Sequence, residues 1–207
     1  MKKYCLILLL GFSLILSAQR IETKNIFHIS DSILISHIGQ NIKKYFEVSQ
    51  GSYYKYPSKT GKFLDKKYLK KGTEEIYVLY SFKYKEIEGV NGGVWVVLDK
   101  NLNLKWIGDL NFIPDFLRTN NQPNFISINT AKEIAVKNFK KEGLRVEDAK
   151  LDYNSKLKKY TFTVSNIITS VKNQIGKESG EMEVVEVDAV TSEFLSNQKA
   201  YFGVIIR

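Results

Sequence analysis

Residues 181 to 188 concentrate acid: Glu181, Glu183, Glu186 and Asp188 fall within one short valine-rich stretch. Carboxylates brought together could run acid–base catalysis or hold calcium. On a strand, however, Glu186 and Asp188 project to the side opposite Glu183, so the four do not converge. The two histidines, His28 and His37, are nine apart without an HExxH pattern that would bring a metal between them. No G-x-S-x-G elbow or P-loop occurs, and Gly89, Gly92 and Gly93 lie between two strand-like segments, which makes them hairpin glycines. Catalytic, cofactor-binding and metal-binding residues are therefore left unassigned, and the reading is of a protein that is not an enzyme.

The remaining candidate is a basic, aromatic run. Tyr53, Tyr54, Tyr56, Phe63 and Tyr68 are interleaved with Lys55, Lys59, Lys62, Lys66, Lys67, Lys70 and Lys71. Tyrosine offers contact area with a polar tip, and lysines draw acidic surfaces from a distance. Tyr53, Tyr54, Tyr56, Lys66, Lys67, Lys70 and Lys71 are the candidate partner-binding residues. The competing reading is a solvated loop whose tyrosines cover a sheet edge and whose lysines discourage edge pairing.

The chain opens MKKYCLILLLGFSLILSAQR, with two lysines, an apolar run from Tyr4 to Leu16, then Ser17 and Ala18. That is the layout of a secretory leader, and cleavage is expected after Ala18. Cys5, the sole cysteine, lies inside it, so the mature chain would have no disulfide and no thiol. Removing residues 1–18 leaves 29 basic against 22 acidic residues, a net charge of +7. Such a field favours acidic partners, an anionic polysaccharide or lipid surface, and export to the periplasm or medium argues against nucleic acid. An apolar content of 43% with 26% charged residues suits a folded chain with an ordinary core.

Two similar series of elements must position these residues. IETKNIFHIS reads as an extended lead-in, and Ser30 or Asp31 as the cap of a helix with Leu34, Ile38, Ile42 and Tyr45 on one face. GSYYKYPSKTGKFLDKKYLKKGTEE reads as irregular; IYVLYSFKYKE, GVWVVLD and LKWIG read as strands. After a proline-containing linker at 118–125, Thr130 and Glu133 form a capping box, Ala131, Ile134, Ala135 and Phe139 give an apolar face, and Gly143 is placed to end the helix. The strands AKLDYN, KYTFTVS, MEVVEVD and EFLSN follow. LYSFKY at 79–84 matches KYTFTV at 159–164, and VWVVLDKNLNLKW at 94–106 matches EVVEVDAVTSEFL at 183–195, equating Asp99 with Asp188. The second series carries about nine extra residues, assigned to its hairpin loop near NQIGKESGE, where length is cheap.

ISINTAKEIAVKNF, then KLDYNSKLKKYTFTV, then VVEVDAVTSEFL resembles the PepSY domain: a threonine-capped helix, a tyrosine-bearing strand, and a strand ending in valine-aspartate-alanine before a turn. The resemblance covers residues 126–196. Ser192 stands where that family has glycine, and in the first series Asn103 is the residue expected to turn left-handed. The resemblance implies an α+β fold of tandem PepSY-like units, each a helix packed on an antiparallel β-sheet, at 19–117 and 126–207. Asp99 and Asp188 would then end strands by accepting backbone N–H groups two residues on, with Thr191 assisting. It also implies an exported, non-catalytic module that binds or inhibits a peptidase or another envelope protein. Binding of an anionic surface polymer or lipid through residues 53–71 is the alternative.

Overall fold

The computed structural model describes residues 20–172 and 176–203; the expected leader lies outside the described residues. The architecture is α+β, with helices on two antiparallel sheets. The chain divides into two compact units. The first takes the chain up to Ser81 with Gly93–Gly108, and the second takes Phe82–Gly92 with the chain from Asp109 onward. The stretch 109–117, read with the first series, thus groups with the second unit.

In the first unit, helix α1 (Thr23–Ile38) begins well before the expected cap. Ile26, Ser30, Leu34 and Ile38 recur every four residues and are buried, so the segment read as an extended lead-in is helix for a packing reason. Ser30 is inside the helix and donates to the Ile26 carbonyl at 2.7 Å. Its hydroxyl lies 2.9 Å from that of Tyr80, which donates to Asp31 Oδ1 at 2.7 Å. Neither Ser30 nor Asp31 caps anything. Gly39, at φ +83°, breaks the helix before a further turn, α2 (Gln40–Lys43).

The first sheet contains β1 (Phe46–Val48), β2 (Tyr53–Tyr56), β3 (Lys59–Lys62), β4 (Glu75–Lys83), β5 (Asn91–Asp99) and β6 (Leu104–Ile107). The order is β3-β2-β4-β5-β6, with β1 also on β4. Along β4, Ile76, Val78 and Tyr80 are fully buried while Glu75, Tyr77 and Leu79 are not, which is the period of a sheet with one covered face. The β2–β3 hairpin occupies a stretch read as irregular. Its turn holds Ser58 at φ +59°, and the Tyr54 ring lies so close to Gly61 that a Cβ there would sit 2.7 Å from it.

The second unit holds α3 (Asp115–Thr119), α4 (Ile128–Asn138), β7 (Arg145–Val146), β8 (Lys150–Asn154), β9 (Lys159–Ile167), β10 (Val171–Lys172), β11 (Glu178–Asp188) and β12 (Phe194–Phe202). β11 lies between β9 and β12, β7 and β8 pair with the other edge of β9, and β10 pairs with the start of β11. An aromatic chain runs through this core: Phe116 meets Phe125 at 5.7 Å, Phe125 meets Tyr160 at 5.2 Å, and Tyr160 donates to the Phe112 carbonyl at 2.6 Å. Residues 118–125, read as a linker, therefore contribute a ring to the unit. The cap of α4 is Ser127, whose Oγ accepts the Thr130 N–H at 3.0 Å, in place of the expected Thr130–Glu133 box. Gly143 does not end that helix, which stops at Asn138; a Cβ on Gly143 would lie 1.7 Å from Asn166 Oδ1, so close approach explains the glycine.

The two series share their order: a helix, two strands on one edge, a long hairpin and a final strand, with β3 extra in the first and β10 extra in the second. The nine-residue difference does not all lie at the hairpin tip. Asp188 opposes Thr161, next to Tyr160, whereas the Tyr80 carbonyl packs against Gly93, well ahead of Asp99. Part of the difference is a slide of the tyrosine strand along the aspartate strand.

Ala131 and Ala135 are fully buried, letting α4 lie close on β9 and β11. Ala135→Leu should destabilise the protein by about 1–3 kcal/mol, read from urea unfolding, because extra methylenes force helix and sheet apart.

Candidate functional site

The acidic stretch resolves into separate structural roles. Asp188 is 3% exposed; its Oδ1 accepts the N–H groups of Val190 at 2.8 Å and Thr191 at 2.9 Å, and Lys159 donates to Oδ2 at 2.6 Å. Burial pushes its carboxyl up, but Lys159 and the two N–H donors outweigh burial and hold it below the usual carboxylate range. Glu183, buried, accepts the N–H groups of Lys140 at 3.0 Å and Lys141 at 3.3 Å beyond the end of α4. Glu186 is bonded by Asn154 and Ser196, and Glu181 pairs with Lys199 at 2.8 Å. Among the described residues no group of three or more His, Cys, Asp or Glu could hold a metal ion.

In the first unit Asp99 does the same work as Asp188. Its Oδ1 accepts the N–H groups of Asn101 at 2.8 Å and Asn103 at 2.9 Å, and the Asn103 N–H leads in lowering its carboxyl. The left-handed residue is Leu102 at φ +66°, three after Asp99, not Asn103; in the second unit it is Ser192 at φ +66°, four after Asp188. Thr191 contributes an Oγ1 acceptor, at 3.4 Å from the Glu193 N–H.

The candidate partner-binding residues do not form one surface. Tyr54 is fully buried with Phe63 and belongs to the core, which removes it from any contact role. The alternation of β2 places it there, with Tyr53 and Lys55 pointing the other way. Tyr56 is half-buried beneath Lys70, whose Nζ lies 5.1 Å from its ring centre; Lys66 similarly covers the Tyr54 ring at 5.6 Å. Lys67 lies over Tyr68, and the loop carrying it is pinned by the Thr23 N–H donating to the Lys67 carbonyl at 3.0 Å and the Leu69 N–H donating to Ile21 at 2.9 Å. Lys66, Lys67, Lys70 and Lys71 are all exposed.

Two surfaces of the first unit remain. On the sheet face that α1 leaves open, Tyr53 stacks on Tyr77 at 4.6 Å and 7°, and Trp95 meets both rings edge-on at 5.7 and 6.2 Å. Trp106, paired with Val97, continues this face and is 45% exposed. A polar chain borders it: Lys55 donates to the Tyr77 hydroxyl at 2.7 Å, which donates to Glu75 at 2.6 Å, and Lys105 also bonds Glu75. Lys105 first, then the Tyr77 hydroxyl, hold the Glu75 carboxyl down at about 2 against its partial burial. The cue lay in the sequence, since Tyr77 and Trp95 fall on positions alternate to the buried ones, but only strand pairing assembles them. The second surface is a groove of about 800 Å³ lined by Arg20, Lys70, Lys71 and Lys100, together with Asn25 and Asn101. In the second unit a cavity of about 540 Å³ adjoins Tyr153, Arg118 and Lys158.

No protein-family model matches this sequence, and comparison with curated proteins and with solved structures finds no similar one.

A carboxyl held lower in the folded than in the unfolded state lends stability above its unfolded pKa and loses it as pH falls through the folded value. Asp188→Asn should therefore cost about 1–3 kcal/mol at neutral pH, and the gap from the unmodified protein should close below about pH 4 in pH-dependent urea melts. Leu102→Gly should instead stabilise by about 1 kcal/mol, since glycine carries no left-handed penalty; unchanged or lower stability in the same melts would count against the strain.

Proposed function

We propose that the protein is an exported, non-catalytic binding module that engages a protein partner through the open face of its first sheet. The observation that carries this reading is the aromatic cluster of Tyr53, Tyr77, Trp95 and Trp106 on the sheet face opposite the buried Ile76, Val78 and Tyr80, with Trp106 45% exposed among the described residues. An exposed sheet face ordinarily carries polar side chains. The second unit comes nearer that rule, presenting Thr163, Ser165, Glu186, Ser196 and Gln198 around Val184 and Met182 on the corresponding face of β9, β11 and β12. The first unit departs from it with tryptophan and tyrosine, the residue types that anchor protein interfaces. The rim of Lys55, Glu75 and Lys105 supplies both charges in a fixed hydrogen-bonded arrangement, suited to register and orientation.

The resemblance of residues 126–196 to PepSY units supplies the partner class, a peptidase or another hydrolase at the cell envelope. The leader-like first residues support export. The second series then acts as a supporting copy of the same scaffold, with its acidic corner committed to backbone.

Capture from an envelope fraction identifies the partner, and titration of that purified partner tests the surface. Trp106→Ala should weaken binding by about tenfold or more, as truncating an interface anchor does. Tyr201→Ala, an exposed aromatic of β12, should leave it unchanged. Equal affinity for the Trp106→Ala variant and the unmodified protein would overturn the assignment of this face.

A further inference from the structure

We propose that the groove between the start of α1, the loop at 70–73 and the β5–β6 turn is a binding site for an acidic polysaccharide chain. This goes beyond the protein-binding reading and uses a different surface of the first unit. Four cations from three separated segments line one concavity: Arg20, Lys70, Lys71 and Lys100. All four are exposed and none is within ion-pair distance of a carboxylate among the described residues, although Lys70 lies over the Tyr56 ring at 5.1 Å, Lys100 neighbours the Asp99 carboxylate and Glu22 also borders the groove. Other exposed lysines of this unit, such as Lys24, Lys59 and Lys62, also lack a carboxylate partner among the described residues, while Lys43 pairs with Asp31 at 3.2 Å and Lys55 and Lys105 pair with Glu75; what distinguishes the four is that they border one hollow. Cations left unmatched around one hollow repel one another unless an anion enters.

The shape and lining narrow the class of anion. The cations come from three segments bordering a groove of about 800 Å³, more room than a single small ion needs and enough for part of a chain bearing repeated negative groups. Asn25, Asn101 and Thr73 add neutral donors and acceptors suited to sugar hydroxyls. Among the described residues Ile21 and Leu102 are the apolar side chains lining the groove, and none of those residues supplies an aromatic ring on which a nucleic-acid base could stack. A lipid bilayer is reached by a convex or flat basic face, and these cations line a hollow.

The fold also fixes the cations that matter. Lys100 and Asn101 lie in the turn that Asp99 ties down through the N–H groups of Asn101 and Asn103, with Leu102 held at φ +66°. Lys70 and Lys71 follow Leu69, which is 2% exposed and bonded to the Ile21 carbonyl, and the Thr73 hydroxyl donates to the Lys70 carbonyl at 2.8 Å. The site is thus presented by backbone that is already ordered, so little chain entropy opposes binding.

Titrating the purified protein with heparin and with polygalacturonate tests this. Both should bind, and affinity should fall steeply as salt shortens the screening length. The Lys71→Glu, Lys100→Glu double variant should lose about tenfold or more, each reversed charge facing the ligand. Lys150→Glu with Lys156→Glu, the same change of net charge on exposed residues of the second unit, should lose much less. Arg20→Gln gives a milder loss by the same route and serves if the double variant fails to fold. An equal loss in both double variants would mean that bulk charge alone attracts glycans and would overturn the site. So would absence of glycan binding, or binding to phosphatidylserine vesicles in its place. Trp106→Ala should bind heparin normally, which separates failure of this proposal from failure of the protein-binding face.

Discussion

A carboxylate that accepts backbone N–H groups at the end of a central strand is the interaction on which the rest of each sheet depends. At Asp99 and Asp188 the strand must reverse within a few residues and bring β6 or β12 back alongside. Reversal puts one residue into the left-handed region, at Leu102 and Ser192, a conformation that costs an L-residue about 1–2 kcal/mol. Charge-assisted bonds from two N–H groups to each aspartate offset that cost. Asp188 adds burial, and a buried carboxylate requires a further partner, which Lys159 supplies at 2.6 Å. Because their lone pairs are already committed, these aspartates shape backbone and have little capacity left for a proton or a metal.

The helix–sheet interfaces show the same plan reached by different packing. In the second unit alanines at 131 and 135 let α4 sit directly on β9 and β11, and the core is completed by rings from Phe112, Phe116 and Phe125. In the first, larger residues on α1, Ile26 and Leu34, hold the helix off the strands, and a polar contact fills the centre. Tyr80 reaches from β4 to Ser30 and Asp31, with Lys43 paired to that aspartate and lying over the tyrosine ring at 5.4 Å. Burial raises the Tyr80 phenol far above its ordinary value, so it remains a neutral donor at any physiological pH.

Those differences explain what could be read from the residues alone. Strands β4, β5, β9 and β11 were legible because their apolar residues alternate or run unbroken between turn signals. The beginning of α1 was not, because its buried face includes Ser30, a residue that reads as a cap until the distant Tyr80 is seen to satisfy it. The β2–β3 hairpin was hidden by its lysines, which conceal that Tyr54 and Phe63 face inward. Asn103 has the better intrinsic tendency to turn left-handed, yet the register between β5 and β6 places Leu102 at the corner. Propensity yielded there to strand pairing. At the candidate sites, the exposure of Lys66, Lys67, Lys70 and Lys71 was legible from composition, while the company of Lys70 and Lys71 was not. Arg20 and Lys100 come from far along the chain, and only the fold brings them near.

The two series differ most where the first carries additional chain. β3 and the loop from Phe63 to Thr73 have no counterpart in the second, and they contribute the lysines at 70 and 71 while extending the sheet whose open face bears Tyr53. An added segment could have been left as a mobile loop; instead Phe63 and Leu69 anchor it in the core and the Leu69 N–H ties it to the strand-like stretch before α1. Ordering these residues costs backbone entropy of about 1–2 kcal/mol each, which two buried side chains and a few hydrogen bonds only partly offset. Further packing of Phe63 on Phe27 and Tyr54, and the pairing of β3 with β2, add to what holds the segment in place. The shared scaffold sets where strands turn, and the unshared insertion gives the first unit a surface that the second lacks.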